Sequence, residues 1–316
     1  MSQPAGPGRT EQSAMQLSDN SLGALYMSIA MCAFTANDAC MKAVTEVLPL
    51  YQSIFLRGLL TLGALVVIGW QSGRLRFRFA PEDRKWLALR TLGEVAGTLT
   101  FLSALRQMPL ANLSAILQFL PLAVTLAAAL LLREKVGWRR LTAILVGFGG
   151  VLLIVRPGAE GFNNWALVGL ASVGFVVLRD LATRRLSRGV PSVAVAILAA
   201  ASVTLTGAVL LPLGGWVPVD LRLALLIAGA AVFLIVGYLL IVMAMRVGEV
   251  ALVAPFRYTA LVFAIVLGWA VFGQLPDAMT IAGASVVILT GIYTFHRERR
   301  LGQTVATPVT APLRMR

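Results

Sequence analysis

Ionisable side chains stand inside several long apolar runs of this sequence. Residues 250–272, VALVAPFRYTALVFAIVLGWAVF, contain Arg257 about a third of the way along, and Arg57 lies inside another run. Arg90 and Glu94 lie four residues apart in a third run, so they share one helical face and can pair. A charge at the centre of a bilayer costs about 2.5 to 3.5 kcal/mol on insertion scales, so it usually faces a bundle interior or a water-filled cavity. We therefore predict that these residues line a substrate-binding cavity.

A purely structural explanation exists for each of these charges. Arg90 and Glu94 could form an ion bridge that only holds their helix in a bundle. Arg57 and Arg257 could extend along the helix to the headgroups, as long basic side chains do. Each lies about eight residues, or about 12 Å, from the nearer end of its run, which a side chain only partly recovers. The cavity-facing interpretation is therefore favoured for both arginines.

The segment APFRYTA around Arg257 predicts a loosened turn. Pro255 lacks an amide hydrogen and disturbs a helix at its own position. Opened backbone at membrane depth is tolerated where it lines a cavity. Arg257 would then offer its donors to a carboxylate, on the substrate or on Glu94, and Phe256 or Tyr258 would offer a flat face.

A second bend is predicted at Pro121, about halfway along the run of residues 110–131. Gln118 in the same run is a further candidate substrate contact. A proline kink in a membrane helix often serves packing alone, and that alternative stays open for Pro121 and Pro255.

Two acid–base pairs lie near the carboxyl ends of predicted helices. Asp38 precedes Lys42 by one turn, and Asp180 precedes Arg184 by one turn. Favourable geometry with the helix dipole, worth roughly a few tenths of a kcal/mol, explains such pairs on its own. In two inverted halves, however, the pairs would stand at opposite ends of the bundle, where gates would close. Asn37 and Asp38 would also reach the substrate.

The composition places the whole chain in a membrane. Of the 316 residues, 58% are hydrophobic and only 13% are charged, which is too apolar for a soluble domain. A bilayer-spanning helix needs roughly 20 mostly apolar residues. About ten runs approach that length, near residues 22–41, 50–70, 86–105, 110–131, 140–155, 164–181, 192–211, 222–245, 250–272 and 278–296. We predict an all-α membrane protein with ten transmembrane helices.

The positive charges predict an orientation. Most of the 27 Lys and Arg residues lie in the even-numbered connections and at the chain ends, and the cytoplasmic side of a membrane protein collects such residues. We therefore expect both termini in the cytoplasm, with residues 1–21 and 297–316 disordered. This distribution explains the net charge of +13 without a nucleic-acid partner.

The chain aligns with itself when it is shifted by about 140 residues. ALRQMPLANLSAILQFLPL, from Ala104, then lies over AMRVGEVALVAPFRYTALV, from Ala244, and NDACMK lies over RDLATR at nearly the same shift. These matches predict a duplication with five-helix halves at 22–160 and 161–296. Because five is odd, the second half would cross the membrane in the opposite sense. Inverted repeats of this kind are common in secondary transporters, whose substrate site lies between the halves near the midplane.

Several segments resemble the EamA family of the drug/metabolite transporter superfamily. The resemblance rests on the short turn within ALRQMPLANLSAILQFLPL, on the Glu of LLREKVGW and on the glycine-rich GFGGVLLI, and it covers residues 22–296. It implies two EamA-like halves and movement of a metabolite by alternating access without ATP. The second half departs from the first at Gln274, which stands where the first half has Glu134.

Within that family, TANDACMK, GFNNWAL and APFRYTALV look most like the branch of S-adenosylmethionine importers. The resemblance implies a secondary transporter of the bacterial inner membrane that moves a small polar organic metabolite, with S-adenosylmethionine or another nucleoside-like or amino-acid-like compound as first choice. A riboflavin importer and an exporter of amino acids or other metabolites are the alternatives. A proton is a candidate coupling ion, with Glu94 as its predicted carrier, and a homodimer is one of the open oligomeric states.

Enzyme and cofactor functions find little support in the sequence. A phosphate-binding loop needs Ser or Thr after its lysine, whereas Lys42, Lys85 and Lys135 are followed by Ala, Trp and Val. His296, the only histidine, lies at the predicted membrane edge, so neither a His-paired nucleophile nor a two-His metal site is expected in the core. We expect no catalytic residue, no cofactor and no metal. A membrane-embedded enzyme and a non-transporting structural or channel protein are the less favoured alternatives.

Overall fold

The computed structural model of the chain describes residues 9–71, 79–132, 137–157, 163–187 and 189–300, and nearly all of them are helical. In chain order the helices are α1 (Arg9–Val47), α2 (Leu50–Gln71), α3 (Pro81–Gln107), α4 (Leu110–Leu117), α5 (Leu120–Leu132), α6 (Trp138–Val155), α7 (Asn164–Arg184), α8 (Ser192–Gly214), α9 (Leu221–Val247), α10 (Val250–Val253), a 3₁₀ helix (Ala254–Tyr258), α11 (Thr259–Phe272) and α12 (Ala278–Arg300). The described part of the fold is all-α, as the sequence predicts.

Eight helical segments of the described residues are long and apolar enough to cross a membrane. They are α2, α4 with α5, α6, α7, α8, α9, the 3₁₀ helix with α11, and α12. The other two long helices, α1 and α3, fall outside that set, and α3 carries Glu82 and Asp83 in its first turn as well as Arg90 and Glu94 further along. The count of ten crossings stays a prediction.

The first helix begins earlier than the sequence predicts. α1 starts at Arg9, so residues 9–21, for which we expected disorder, are helical. The stretch from Thr10 to Ser21 contains no glycine or proline. Elongating a helix needs no new nucleus once its apolar part has formed, so a run of ordinary helix formers is sufficient to extend it. Residues 297–300, for which we also expected disorder, form the end of α12, and residues 301–316 lie outside the described residues.

Two of the apolar segments are interrupted at corresponding places. α4 ends at Leu117 and α5 begins at Leu120, while α10 ends at Val253 and continues through the 3₁₀ helix into α11. Pro121 is the second residue of α5, and Pro255 is the second residue of the 3₁₀ helix. A missing amide hydrogen costs little in a first turn, where that hydrogen has no intrahelical acceptor. The segment APFRYTA departs from α-helical geometry as predicted, but it forms a 3₁₀ helix, which is wound more tightly and is not loosened.

The helix boundaries repeat along the chain at a spacing of about 140 residues. The corresponding pairs are the ends of α3 and α9 (Gln107 and Val247), the starts of α4 and α10 (Leu110 and Val250) and the starts of α6 and α12 (Trp138 and Ala278). The main contacts between helices pair the halves, because α1 packs on α9, α2 on α8, α3 on α7 and α6 on α12. When each helix is replaced by its counterpart in the other half, the same four helix pairs result. The opposite orientation of the halves in a membrane stays a prediction.

Hydrogen bonds tie the halves together at both ends of the bundle. We call the end at which α1 finishes the far end, and the opposite end the near end. At the far end, Gln52 of α2 exchanges two hydrogen bonds with the backbone of Val217, at 2.7 and 2.9 Å. At the near end, the Asp83 carboxylate accepts hydrogen bonds from the backbone N and the Oγ of Ser187, at 2.8 and 2.6 Å. Gln52 and Asp83 are both buried, so neither tie competes freely with water.

A capping aspartate precedes α12. Asp277 accepts a hydrogen bond from the backbone N of Thr280 at 2.8 Å and forms an ion pair with Arg156, just after α6. The Thr280 hydrogen bond, together with the Arg156 guanidinium, holds the pKa of Asp277 below its ordinary value. The stability that this contact contributes is therefore present at neutral pH and is lost as the pH falls through the lowered pKa.

Candidate substrate-binding site

An ion-pair cluster joins the two halves where α3 packs on α7. Arg90 Nη2 lies 3.5 Å from Glu94 Oε2, so the pair predicted from their spacing is present. Arg179 Nη1 lies 3.6 Å from Glu94 Oε1, and Arg179 Nη2 lies 2.9 Å from Asp180 Oδ1. We call these four residues the ion-pair cluster. Glu94 thus lies between the guanidinium groups of Arg90 and Arg179, and its role as a proton carrier stays a prediction.

A glycine allows the cluster to form. A Cβ at Gly93 would come within 2.8 Å of the backbone N of Arg179 and of the carbonyl O of Phe175. Real Cβ atoms do not approach other atoms so closely, so only glycine lets the backbones of α3 and α7 meet here. Gly93 directly precedes Glu94, and its close contact therefore sets the distance between the Glu94 carboxylate and Arg179.

A second polar group lies between α1 and α2. Asn37 Nδ2 donates to Asp38 Oδ1 at 2.9 Å, and Arg57 Nη1 donates to Asn37 Oδ1 at 3.4 Å. Arg57 is 9% exposed and Asn37 is 3% exposed. The Arg57 side chain therefore points into the bundle and does not run outward to the headgroup region.

The two groups form one array. Arg57 lies within electrostatic range of Asp38 and of Glu94, and Arg257 lies within range of Asp180 and Arg179. We call the whole set the polar array; it consists of Asn37, Asp38, Arg57, Arg90, Glu94, Arg179, Asp180 and Arg257. With every group ionised, its four arginines outnumber its three carboxylates, and the array carries a net positive charge. It draws residues from α1, α2 and α3 in the first half and from α7 and the 3₁₀ helix in the second.

Arg257 lies on the inward face of its segment. One 3₁₀ turn before it is Ala254, and one and two α-helical turns after it are Leu261 and Ala264. All three are buried, at 0%, 7% and 0% exposure. Residues spaced by whole turns share a face, so Arg257 is directed to the interior, where Asp180 lies within electrostatic range.

The two aromatic neighbours of Arg257 do not join the array, contrary to our expectation. Phe256 is 41% exposed and shares the outer face with Val262 and Val266, which are both more than half exposed. Tyr258 is buried, and its ring packs on Phe295 of α12 with centroids 6.5 Å apart. The reason is the 3₁₀ geometry, which turns successive residues by about 120°, so Phe256 and Tyr258 point well away from Arg257.

Gln118, Pro121 and Pro255 belong to the helix interruptions. Gln118 is buried at the end of α4, and its backbone N–H bonds to carbonyls of that helix. Among the described residues, no hydrogen bond or ion pair joins the Gln118 side chain to the polar array. Both prolines stand in the first turns that follow the interruptions, which leaves a hinge role for them as a prediction.

The two predicted acid–base pairs are not formed as expected. Lys42 is buried and donates to the carbonyls of Leu105 and Met108, at 3.0 and 2.8 Å, and makes no ion pair with Asp38 within the described residues. Asp180 pairs with Arg179, its neighbour in sequence, and this contact takes the place of the expected pair with Arg184 in the last turn of α7. Carbonyls at a helix end have no intrahelical donor and can accept hydrogen bonds from a lysine, and helical spacing alone does not reveal such acceptors.

Sequence reasoning misses two residues of the site. Arg179 stands inside an apolar run, like the other arginines of the array, so its charge is a signal that could have placed it there. Tyr238 of α9 lies within electrostatic range of Glu94, Arg179, Arg90 and Arg57. An aromatic residue in an apolar run is ordinary in a membrane helix, so no local signal singles out Tyr238.

The array has free capacity for a polar ligand. Arg90 Nε and Asp180 Oδ2 are buried and have no hydrogen-bond partner among the described residues. Buried polar atoms are normally satisfied, by the protein or by a bound molecule, so this donor and this acceptor are available to a substrate with complementary groups. In the described part of the chain, no group of three or more His, Cys, Asp or Glu residues is placed to hold a metal ion.

A family model matches the chain twice. The model of the EamA-like transporter family aligns with residues 21–156 and again with residues 163–295. A solved crystal structure of another protein is 20% identical, covers 88% of this chain and 98% of its own, and has a TM-score of 0.61. At that identity the likeness concerns the fold alone.

Curated relatives are named as transporters of different metabolites. A riboflavin transporter of Vibrio cholerae is 32% identical over 208 residues, which are 65% of this chain and 69% of that protein. The pseudopaline exporter CntI of Pseudomonas aeruginosa is 27% identical over 274 residues, 85% of this chain and 94% of that protein. An S-adenosylmethionine uptake transporter of Rickettsia bellii is 28% identical over 193 residues, 57% of this chain and 62% of that protein.

Proposed function

We propose that this chain, which belongs to the EamA-like transporter family, is a secondary transporter that moves a small polar organic metabolite across the bacterial inner membrane. It is an integral, multi-pass membrane protein with several helices apolar enough to span a bilayer. Relatives named as transporters support a role in transport and not in catalysis.

The observation that carries the proposal is the polar array. Glu94 of α3 and Arg179 of α7 come from different halves of the chain and meet inside an apolar bundle. Buried charges in a membrane are costly unless they have partners or serve a ligand, and this set keeps a donor and an acceptor that have no partner among the residues that the structure describes. A site shared by two halves can change its access when one half tilts against the other.

Alternating access in this form needs two inverted halves of five membrane-spanning helices. The double match at residues 21–156 and 163–295 supports two EamA-like halves, and the repeated helix boundaries support the same division. In the proposed arrangement, both termini lie in the cytoplasm and the far end faces the outside. Rocking of one half against the other would then expose the array to each side in turn.

S-adenosylmethionine, or a similar nucleoside-like or amino-acid-like compound, is the proposed substrate. Its carboxylate suits the arginines of the array, and its cationic groups suit Asp38 and Asp180. The Rickettsia relative is named for uptake of this compound. Riboflavin import and metabolite export are the alternatives that the names of the other relatives support. We further propose that a proton is the coupling ion. A monomer and a homodimer are both compatible with this proposal.

Uptake by reconstituted protein tests the proposal. Purified protein in liposomes is given labelled S-adenosylmethionine, riboflavin and a panel of amino acids, with and without a proton gradient. We expect a nucleoside-like or amino-acid-like compound to enter faster than in protein-free liposomes, and the gradient to change its rate. Folded protein that moves no solute of the panel in either direction would contradict the proposed function.

A further inference from the structure

Tyr238 has an open surface where its helix is otherwise buried. On α9 it shares a face with Ala231, Ile241 and Val242, which are 3%, 4% and 8% exposed. Tyr238 itself is 37% exposed. The lipid-facing side of α9 lies elsewhere, along Val232 and the residues spaced by whole turns from it. The open surface of Tyr238 therefore belongs to a space inside the bundle.

A second aromatic residue fixes the position of the Tyr238 ring. Phe34 of α1 meets it edge to face, with ring centroids 5.3 Å apart and planes at 83°. The Phe34 ring rests against Gly237, where a Cβ would come within 2.9 Å of Phe34 Cδ1. Glycine at this position lets α1 and α9 approach, and the contact holds Phe34 against the tyrosine. Edge-to-face pairs of this kind are favourable beyond the area that they bury.

The same tyrosine faces the charges of the array. Arg57, Arg90, Arg179 and Glu94 lie within electrostatic range of its hydroxyl group, and Arg90 Nε is a buried donor that finds no partner in the described part of the chain. A flat, held aromatic face thus stands beside a surplus of guanidinium groups. A ligand that fills both parts needs a ring to stack on Tyr238 and an ionised group, such as a carboxylate, to meet the arginines.

We infer that Tyr238, held by Phe34, is the ring-binding subsite of the polar array, and that the substrate is a metabolite in which a flat aromatic ring is joined to an ionised group. The inference rests on the proposed function, and it narrows the substrate class within it. It assigns Tyr238 a direct contact with the substrate, whereas Phe34 acts by holding the tyrosine ring.

Equilibrium binding to purified full-length protein in lipid nanodiscs tests this assignment. The probes are S-adenosylmethionine and tryptophan, which each join a flat ring to an ionised carboxylate, and methionine, which has the amino-acid group of S-adenosylmethionine but no ring. We expect Tyr238→Leu to weaken binding of the ring compounds about tenfold, as loss of one stacking partner does. Tyr238→Phe keeps the ring and should bind them within about threefold of the wild type. Methionine should bind weakly to the wild type and change less than about twofold in Tyr238→Leu.

Tyr293→Leu is the matched control, because Tyr293 lies exposed on α12 and takes no part in the array. Thermal unfolding of each variant shows whether it is folded. Ring compounds that bind Tyr238→Leu as tightly as the wild type would overturn the inference. Methionine binding as tight as that of S-adenosylmethionine would also overturn it, and so would a folded wild type that binds neither ring compound. Uptake of ringless solutes in the liposome assay would in each case leave the proposed transport function standing.

Discussion

At the residue scale, variants of Arg257 distinguish a role in substrate binding from a role as an anchor at the membrane surface. Its side chain lies on the inward face of the 3₁₀ helix, within electrostatic range of Asp180. In the cavity it would supply charge-assisted hydrogen bonds to a carboxylate, worth about 1.5 to 3 kcal/mol. That free energy corresponds to roughly 10- to 150-fold in affinity. A headgroup anchor, by contrast, needs only a positive charge on a long stem.

We therefore predict that Arg257→Gln is folded and inserted but nearly inactive in transport. Arg257→Lys should be partly defective, because it keeps the charge but loses the planar fork that matches a carboxylate. Transport is measured at matched membrane expression. The control is Arg222→Gln, at an exposed position at the start of α9, which should transport like the wild type. Full activity of Arg257→Gln would remove this residue from the site.

The charged members of the array could be predicted from the sequence, because a charge in an apolar run is rare and needs a reason. The direction in which a neighbouring aromatic side chain points could not be predicted from the sequence. Whether Phe256 or Tyr258 accompanies Arg257 depends on the local helix type, which changes the rotation per residue. Tyr238 is recognisable only after folding, when its open surface stands out on the buried face of α9.

At the element scale, Lys42 connects the ends of three helices at the far end. Its ammonium group donates to the Leu105 and Met108 carbonyls, where α3 ends, and lies 5.5 Å from the centroid of the Phe272 ring, where α11 ends. Carbonyls in the last turn of a helix have no intrahelical donor. Lys42 therefore provides donors to carbonyls at the end of α3 and lies between α1, α3 and α11, and we propose that it acts as a latch at the far end.

We predict that Lys42→Met loosens the far end. Methionine keeps much of the length of the side chain but donates no hydrogen bond. In protein whose native Cys32 and Cys40 are replaced by Ser, a cysteine at Met108, which is 4% exposed, should react several-fold faster with a membrane-impermeant maleimide added outside. Lys85→Met, at an exposed site near the start of α3, should leave that rate unchanged.

A second cysteine position checks the orientation in the same experiment. Trp216 is 55% exposed beside Val217 at the far end, so Trp216→Cys should react from outside in every background. An unchanged rate at residue 108 in Lys42→Met would argue against the latch. A Trp216→Cys protein that reacts only after the membrane is opened would contradict the orientation, with both termini in the cytoplasm.

Helix positions follow closely from the lengths of the apolar runs, since a bilayer-spanning helix has a minimum length. The start of α1 does not follow, because helix elongation into polar sequence leaves no mark in hydrophobicity. The hydrogen-bond acceptors of Lys42 could not be predicted from the sequence either. Its spacing from Asp38 predicts a local pair, whereas its actual acceptors lie more than sixty residues further along the chain.

At the scale of the whole molecule, the proposed duplication would place one substrate site between two halves. α1 packs on α9 and α3 packs on α7, so the first and third helices of each half contact the third and first helices of the other. The charges do not follow this symmetry, because Arg57, Arg90 and Glu94 have no charged counterparts in the second half. The repeat and the one-sided distribution of charges are both visible in the sequence, but which helices of the two halves pack on each other needed the folded structure.

We propose that the site alternates between the two sides of the membrane, and counterflow tests this alternation most directly. Liposomes containing the protein are loaded with unlabelled S-adenosylmethionine, or with whichever solute the uptake panel identifies, and are diluted into a trace of the labelled compound. If the binding site returns across the membrane loaded with unlabelled solute, the labelled compound should accumulate inside the liposomes transiently above its equilibrium level. Arg257→Gln should abolish this overshoot. Label that only approaches equilibrium, at a rate indifferent to the unlabelled solute inside, would indicate an open pore and contradict the account.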